Sequence, residues 1–165
     1  QAGLQPLCQH LSGPRSSLLT RMRAADDVVL FGLKSFWEGV DVPGEALRCV
    51  VMVKLPFAVP TDPIVVARCE QVARDGLDSM NDYYIPEAVI GFKQGIGRLI
   101  RTTTDRGVVF VLDSRLLARS YSHRFLNSIP RCAVSFGSFD ECLEEAGRWF
   151  AQISPEENHE RTHSA

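Results

Sequence analysis

The sequence lacks any long apolar run. Its longest uninterrupted apolar stretches are residues 50–53 and 108–112, far short of the roughly 20 residues that a helix needs to cross a bilayer. We therefore expect no transmembrane segment and no membrane partner. The chain begins at Gln1, without an initiator Met or the layout of a secretion signal, so we expect a segment of a longer cytoplasmic polypeptide.

Paired cysteines and an excess of charge of one sign are also missing. The five cysteines contain no C-x-x-C pair, so we expect buried thiols rather than a disulfide framework or a tetrathiolate metal site. Because 18 Lys and Arg oppose 20 Asp and Glu, nucleic-acid binding would require a local basic patch. With 45% hydrophobic residues, the 165-residue chain has the composition of one globular domain. The polar residues 154–165 are expected to form a disordered tail.

Apolar periodicity and turn residues predict helices that alternate with strands. The predicted strands are residues 28–31, 48–55 and 108–113, the last two buried, and the predicted helices are residues 16–25, 64–75, 86–101 and 139–152. Residues 32–44 are expected to form a loop with a short helix, and residues 77–84 a linker. This alternation implies an α/β fold with a parallel sheet covered by helices on both faces. Ligands of such sheets bind beyond the carboxyl ends of the strands, where residues 36–41 and 113–115 fall.

One predicted helix combines amide, guanidinium and glycine residues. Gln94, Arg98 and Arg101 stand at positions i, i+4 and i+7 and would share one face of the helix. Two adjacent guanidinium groups, with no acidic residue among residues 92–101, form a receptor for a multiply charged anion such as a phosphate chain. The glycines of this helix, which include Gly95 and Gly97, cost about 1 kcal/mol each relative to alanine, and so suggest close approach by a backbone or ligand. A solvated basic face with glycines tolerated for packing explains the same residues equally well.

A second stretch, residues 34–44, carries two acids and two large aromatic residues in the loop that leaves the first predicted strand. By chemistry alone, Phe36 and Trp37 could fill the edge of the sheet while Glu38 and Asp41 cap a short helix. The same residues at the carboxyl end of a strand could instead contact a ligand. Neither this loop nor the helix indicates a function by itself.

The two stretches together resemble motifs V and VI of superfamily 2 helicases, most closely those of the XPD/DinG branch. The first is the sequence FWEGVDVPG at residues 36–44, and the second is the pattern Gln94-x-x-Gly97-Arg98-x-x-Arg101. The resemblance extends over residues 4–150 through further matches: Leu55-Pro56-Phe57, Asp62-Pro63, Leu112-Asp113-Ser114-Arg115, Tyr121 and Ser128-Ile129-Pro130.

The resemblance implies that residues 1–153 form the second RecA-like lobe of a DinG-type ATP-dependent DNA helicase that moves 5′ to 3′ on single-stranded DNA. The implied fold is a RecA-like parallel sheet with helices on both faces, without the phosphate-binding P-loop of the first lobe. ATP would lie between this lobe and an N-terminal RecA-like lobe of the same polypeptide, which would hold most of the contacts to Mg²⁺. No metal site and no iron–sulfur cluster is expected in this chain. Because the strand of motif IV is not visible before Leu4, we expect a lobe truncated at its start, with an exposed sheet edge.

The resemblance also implies roles for individual residues. Arg98 and Arg101 would be the arginine finger and its companion at the transferred phosphoryl group, and Gln94 would hold that helix against the phosphates or the attacking water. By the same resemblance, the motif V residues Glu38, Gly39 and Asp41 would contact the nucleotide. Lys34, Ser35 and Trp37 would contact the DNA.

Three other interpretations follow from the residues. His159 and His163 fit the H-E-x-x-H pattern of zinc proteases, but the surrounding stretch has no apolar face with which to dock as a helix. A dinucleotide fingerprint at Gly95-x-Gly97 is rejected because a helix, rather than a strand, precedes it. The alternative to a helicase lobe is a non-catalytic RecA-like DNA-binding or docking module. The arginine pair argues against that module, since such arginines are useful only where a nucleotide reaches them.

Overall fold

The computed structural model describes residues 3–25, 27–33, 47–100 and 105–153. The chain divides into two compact units, Gln1–Ile129 and Pro130–Ala165, and each is considered by itself. The strands and helices described in the first unit are β1 (Gln5–Cys8), α1 (Arg15–Ala24), β2 (Val28–Phe31), β3 (Cys49–Met52), α2 (Pro63–Arg74), a π-helix (Met80–Tyr84), α3 (Ile85–Ile96), β4 (Val108–Val111), α4 (Arg115–Ala118) and α5 (Ser122–Leu126). The second unit contains α6 (Phe139–Ile153). A single lobe over residues 1–153 stays a prediction.

The described strands pair into two parallel, two-stranded sheets. In one sheet β1 pairs with β2, with Gln5 opposite Val28, and in the other β3 pairs with β4, with Cys49 opposite Val108. The predicted parallel pairing is confirmed, and the alternation of helices and strands fits the α/β class. Among the described residues the two pairs do not join into one sheet. A single RecA-like sheet with helices on both faces is therefore left as a proposal.

Each sheet contributes to a separate hydrophobic core. Leu7 of β1 packs with Leu18 and Met22 of α1. Met52 of β3 belongs to a larger cluster, whose other buried members are Leu55, Ile85, Ala88, Phe92, Ile96, Leu116 and Phe125. Burying one large apolar side chain contributes about 1.5–3 kcal/mol, so this cluster fixes α3 against the β3–β4 sheet.

The strands β3 and β4 are shorter and more exposed than the sequence predicts. Each contains four residues rather than the predicted residues 48–55 and 108–113. Met52 is buried, whereas Val51 is 52% exposed and every residue of β4 is only partly buried. Successive side chains of a strand point to opposite faces, and α3 packs on the face of Met52. An apolar run by itself does not distinguish a strand covered on one face from a strand covered on both.

Helices α1, α2 and α6 agree with their predicted bounds to within one residue at each end. Helix α2 begins at Pro63, after Asp62, whose carboxylate accepts a hydrogen bond from the Ile64 N–H at 2.8 Å. Helix α6 begins with a capping box. Glu141 Oε2 accepts from the Ser138 N–H at 2.8 Å, and the Glu141 N–H donates to Ser138 Oγ at 3.3 Å.

Four short elements are not predicted, namely β1, α4, α5 and the π-helix. The π-helix occupies the stretch expected to be a linker, and the Asp78 carboxylate accepts hydrogen bonds from the N–H groups of Met80 and Asn81 at its start. Elements of four or five residues are too short to show a period, and unlike β2 none of these four is a continuous apolar run.

Candidate functional site

The carboxyl end of α3 places Gln94 and Arg98. The Gly97 N–H bonds to a carbonyl four residues back at 2.8 Å, whereas the next two N–H groups bond three residues back, at 3.3 and 2.9 Å. This change marks a tight turn after Ile96. The predicted continuation of the helix is therefore wrong for residues 97–100, and Arg101 lies outside the described residues. Arg98 lies in the turn instead of sharing a regular helix face with Gln94.

Arg98 is partly shielded from solvent. Its side chain is half-buried and its Nε atom is shielded from solvent, whereas Gln94 is exposed. A Cβ on Gly97 would lie 3.2 Å from the Lys93 carbonyl oxygen, so glycine allows the backbone to turn closely here. A partly buried guanidinium attracts an anion more strongly because less water screens the charge.

A close approach at Gly107 anchors this turn. A Cβ on Gly107 would lie 2.5 Å from Leu99 Cδ1 and 2.8 Å from the Arg48 carbonyl oxygen. Leu99 is buried, and the same Arg48 carbonyl accepts a hydrogen bond from the Val108 N–H at 3.0 Å. A side chain at position 107 would displace this backbone. Glycine therefore brings the turn after α3 against the amino ends of β3 and β4; we call this contact the Gly107 junction.

Seven predicted site residues lie outside the described residues, and their roles stay predictions. They are Lys34, Ser35, Trp37, Glu38, Gly39, Asp41 and Arg101. Two described residues that follow these segments in the chain lie close together. Residues 34–46 precede Arg48 and residues 101–104 precede Gly107 in the chain, and Arg48 and Gly107 meet at the Gly107 junction.

At the opposite, carboxyl end of the β3–β4 sheet, Asp113 and Arg115 form a salt bridge. Arg115 Nη2 donates to Asp113 Oδ2 at 2.6 Å and Arg115 Nε donates to Oδ1 at 3.0 Å, a bidentate geometry. Asp113 Oδ2 also accepts from the Leu55 N–H at 2.8 Å, which joins the chain after β3 to the chain after β4. The Arg115 guanidinium lowers the pKa of the Asp113 carboxyl from 3.8 to about 2. We call this pair the Asp113–Arg115 clasp.

Aromatic rings connect the clasp to the core under α3. The guanidinium carbon of Arg115 lies 5.0 Å from the ring centroid of Phe57, within the range of a cation–π contact. Phe57 stacks on Tyr84 at 5.3 Å and approaches Phe125 at 5.8 Å, and Phe92 meets Phe125 edge-on at 5.3 Å. The clasp is therefore part of the framework that fixes α3, and through α3 the position of Arg98.

Sequence reasoning places residues 113–115 at the carboxyl end of a strand but misses the clasp. The available signal is an Asp-x-Arg spacing directly after a predicted strand, which brings a carboxylate and a guanidinium into the same turn. The bond from Asp113 to the Leu55 N–H has no such signal because the two residues are 58 positions apart.

The cysteines differ from expectation. All five have free thiols, and none is buried: Cys49 and Cys132 are exposed and the other three are half-buried. Cys49 stands two residues from Val51 in β3, on the exposed face of that strand.

In the ranges that the structure describes, no group of three or more His, Cys, Asp or Glu side chains is arranged to hold a metal ion. The helices in those ranges include none with the length and apolar character of a membrane span.

Comparison with known protein families identifies the class of domain to which the chain belongs. Residues 1–132 match the helicase C-terminal domain family. Because this match covers most of the chain, the chain belongs to that family.

Individual relatives narrow the resemblance to DinG-type helicases. ATP-dependent DNA helicase YoaA of Haemophilus influenzae is 50% identical over 116 residues, which are 70% of this chain and 18% of that protein. The 3'-5' exonuclease DinG of Bacillus subtilis is 38% identical over 135 residues, 81% of this chain and 14% of that protein. ATP-dependent helicase DinG of Mycobacterium tuberculosis is 40% identical over 124 residues, 75% of this chain and 18% of that protein. The predicted resemblance to a DinG-type C-terminal domain is confirmed, and the chain spans less than a fifth of the length of these relatives.

Proposed function

We propose that this chain is the second motor lobe of a cytoplasmic, DinG-type ATP-dependent DNA helicase. It completes an ATP site with an N-terminal RecA-like lobe of the same polypeptide and contacts single-stranded DNA. Family membership and the names of the Haemophilus and Mycobacterium relatives support this function. The observation that carries it is the turn after α3, where the helicase pattern Gln94-x-x-Gly97-Arg98 coincides with a partly buried arginine at the end of a packed helix.

In this proposal Arg98 is the arginine finger. Phosphoryl transfer spreads negative charge over the equatorial oxygens of the γ-phosphate, and a guanidinium already in position stabilises that charge without reorganisation. The buried side chains of Ala88, Phe92 and Ile96 hold α3 in the core, so the turn that carries Arg98 has a fixed base. Arg101 would be the companion of the finger.

Gln94 would be the remaining contact from α3 in this half of the ATP site, and Mg²⁺ would accompany the nucleotide. Gln94 is exposed at the end of α3, where its amide can bond to phosphate oxygens or to the attacking water. Mg²⁺ bound to ATP neutralises charge on the phosphates, and we propose that the N-terminal lobe holds most of its ligands. We propose no iron–sulfur cluster in this chain.

The stretch between β2 and β3 would couple nucleotide and DNA. Glu38, Gly39 and Asp41 are proposed to contact the nucleotide, and Lys34 and Ser35 with Trp37 to contact DNA. Closure of the lobes on ATP and their opening after hydrolysis would then move the DNA contacts by one step, in the 5′ to 3′ direction. The Gly107 junction supports this coupling because Arg48 and Gly107, which meet there, follow this stretch and the Arg101 segment in the chain.

The test is Arg98→Ala in the full-length parent protein. We expect DNA-stimulated ATP hydrolysis to fall by about a thousandfold or more, while the affinity for single-stranded DNA stays nearly unchanged. Arg21→Ala is the matched control, because it removes an exposed arginine of α1 outside the proposed site. Normal turnover with lost DNA affinity would reject the finger and favour a non-catalytic DNA-binding module.

A further inference from the structure

A groove of about 280 Å³ lies between the π-helix and α5. The buried Ile85 and the half-buried Tyr121 give it an apolar part, and the exposed Asn81, His123 and Arg124 give it a polar part. Small-ligand pockets commonly measure about 300–1,000 Å³. The groove lies just below that range, so its size suits a single small unit rather than a folded partner.

Hydrogen bonds across and beside the groove fix its shape. Arg124 Nη1 donates to the Asn81 carbonyl at 2.9 Å and so ties α5 to the π-helix. His123 Nδ1 lies 2.7 Å from the Ser120 carbonyl, and because a carbonyl oxygen only accepts, Nδ1 is the donor. The Nε2 atom of His123 takes no part in that bond. The ring of Tyr121 packs edge-on against the ring of Phe57, with the two centroids 5.7 Å apart.

The groove and Arg98 lie at opposite ends of α3. The π-helix continues directly into α3, whereas Arg98 follows the last turn of that helix. Twelve helical residues span about 18 Å. Tyr121 contacts Phe57, the ring under Arg115, so the groove is on the same edge as the Asp113–Arg115 clasp. This is the carboxyl edge of β3 and β4, where parallel sheets bind ligands.

The side chains of the groove suit one nucleotide of a single strand. An aromatic ring beside the Met80 thioether offers an apolar surface for a base. Arg124 and His123 supply donors for the adjoining phosphate. Neither Asp78 nor Asp82 lines the groove. The Asp78 carboxylate accepts hydrogen bonds from the N–H groups of Met80 and Asn81, and Asp82 Oδ2 accepts one from the Asp78 N–H.

From this combination we infer that the groove is a binding subsite for one nucleotide of single-stranded nucleic acid. The base lies against Tyr121 and Met80, and the phosphate lies at Arg124 and His123. This inference rests on the proposed function and adds a DNA contact to it. Helix α3 then connects a DNA subsite at one end with the arginine finger at the other.

The first test is photocrosslinking in the full-length parent. A benzoylphenylalanine in place of Met80 is expected to crosslink to an oligo-dT strand on illumination, because position 80 lines the groove. The same photoreactive residue in place of Arg21, on α1, is the control and is expected not to crosslink. Absence of a crosslink at position 80 would overturn the inference.

The second test is His123→Glu, which places a negative charge beside the proposed phosphate. We expect oligo-dT to bind about tenfold more weakly. Arg21→Glu is the control because it makes a larger change of charge on a different helix. Equal weakening of oligo-dT binding by the two variants would overturn the inference. Equal competition for labelled oligo-dT by a poly-Glu peptide and by unlabelled oligo-dT would also overturn it.

The failure of this inference differs from the failure of the proposed function. In the parent, His123→Glu is expected to raise the DNA concentration that half-saturates ATP hydrolysis, with unchanged turnover at saturating DNA. A change in that maximal turnover with unchanged half-saturation would overturn the subsite. If the parent hydrolyses no ATP, the proposed function fails, while crosslinking and oligo-dT binding still decide the subsite.

Discussion

Replacing Asp113 with Asn removes the charge that joins the chain segments after β3 and β4. The folded state holds the pKa of this carboxyl at about 2 instead of 3.8, which corresponds to at most about 2.5 kcal/mol of stabilisation at neutral pH. The Asp113 side chain is 7% exposed, but its partner Arg115 is 39% exposed and partly screened by water. We therefore expect Asp113→Asn to lower the free energy of unfolding by about 1–2 kcal/mol.

The pH dependence of this effect has a definite sign. Because the pKa of Asp113 is lower in the folded than in the unfolded chain, its contribution is fully present above about pH 4 and is lost as the pH falls towards about 2. Urea unfolding, followed by circular dichroism at several pH values, measures the difference between Asp113→Asn and the original chain. Glu70→Gln, on exposed surface of α2, is the control. Equal stability at neutral pH, or a difference that stays constant below about pH 4, would refute the reasoning.

Three further predictions concern other parts of the chain. Gly107→Ala is expected to lower the free energy of unfolding by about 1–3 kcal/mol because its Cβ would press on the Arg48 carbonyl; in urea unfolding, Gly147→Ala, which has open space in α6, should instead be neutral or stabilising. Ser138→Ala should cost α6 about 1 kcal/mol by breaking the capping box, measured as faster amide hydrogen exchange in its first turn, and unchanged exchange would contradict that role. Glu38→Ala in the parent should reduce DNA stimulation of ATP hydrolysis more than basal hydrolysis, and an equal reduction of both would reject coupling through that residue.

Elements with strong local signals could be predicted from the sequence. Helix α2 has a proline after a capping Asp62, and β2 is a compact apolar run, so their positions follow from local chemistry. The parallel pairing follows from the alternation of strands and helices. The family follows from two motifs whose residue types and order are specific, and the match over residues 1–132 confirms it.

The remaining features depend on contacts between distant parts of the chain. The end of α3 could not be placed because the apolar stripe continues to Leu99 and Ile100, although Gly97 already begins a tighter turn. The exposed face of β3 could not be foreseen because its residues are apolar on both sides. The groove beside the π-helix arises from two short elements that Arg124 joins across 43 positions, and no local period marks either of them.

The most direct measurement of the central claim is DNA-stimulated ATP hydrolysis by the full-length parent that carries Arg98→Ala and Arg101→Ala together. The account predicts that ATP still binds and that single-stranded DNA still binds, while turnover falls by about a thousandfold or more. The double variant is compared with the Arg21→Ala control under the same conditions. Turnover equal to that of the control would contradict the claim that this chain completes the ATP site.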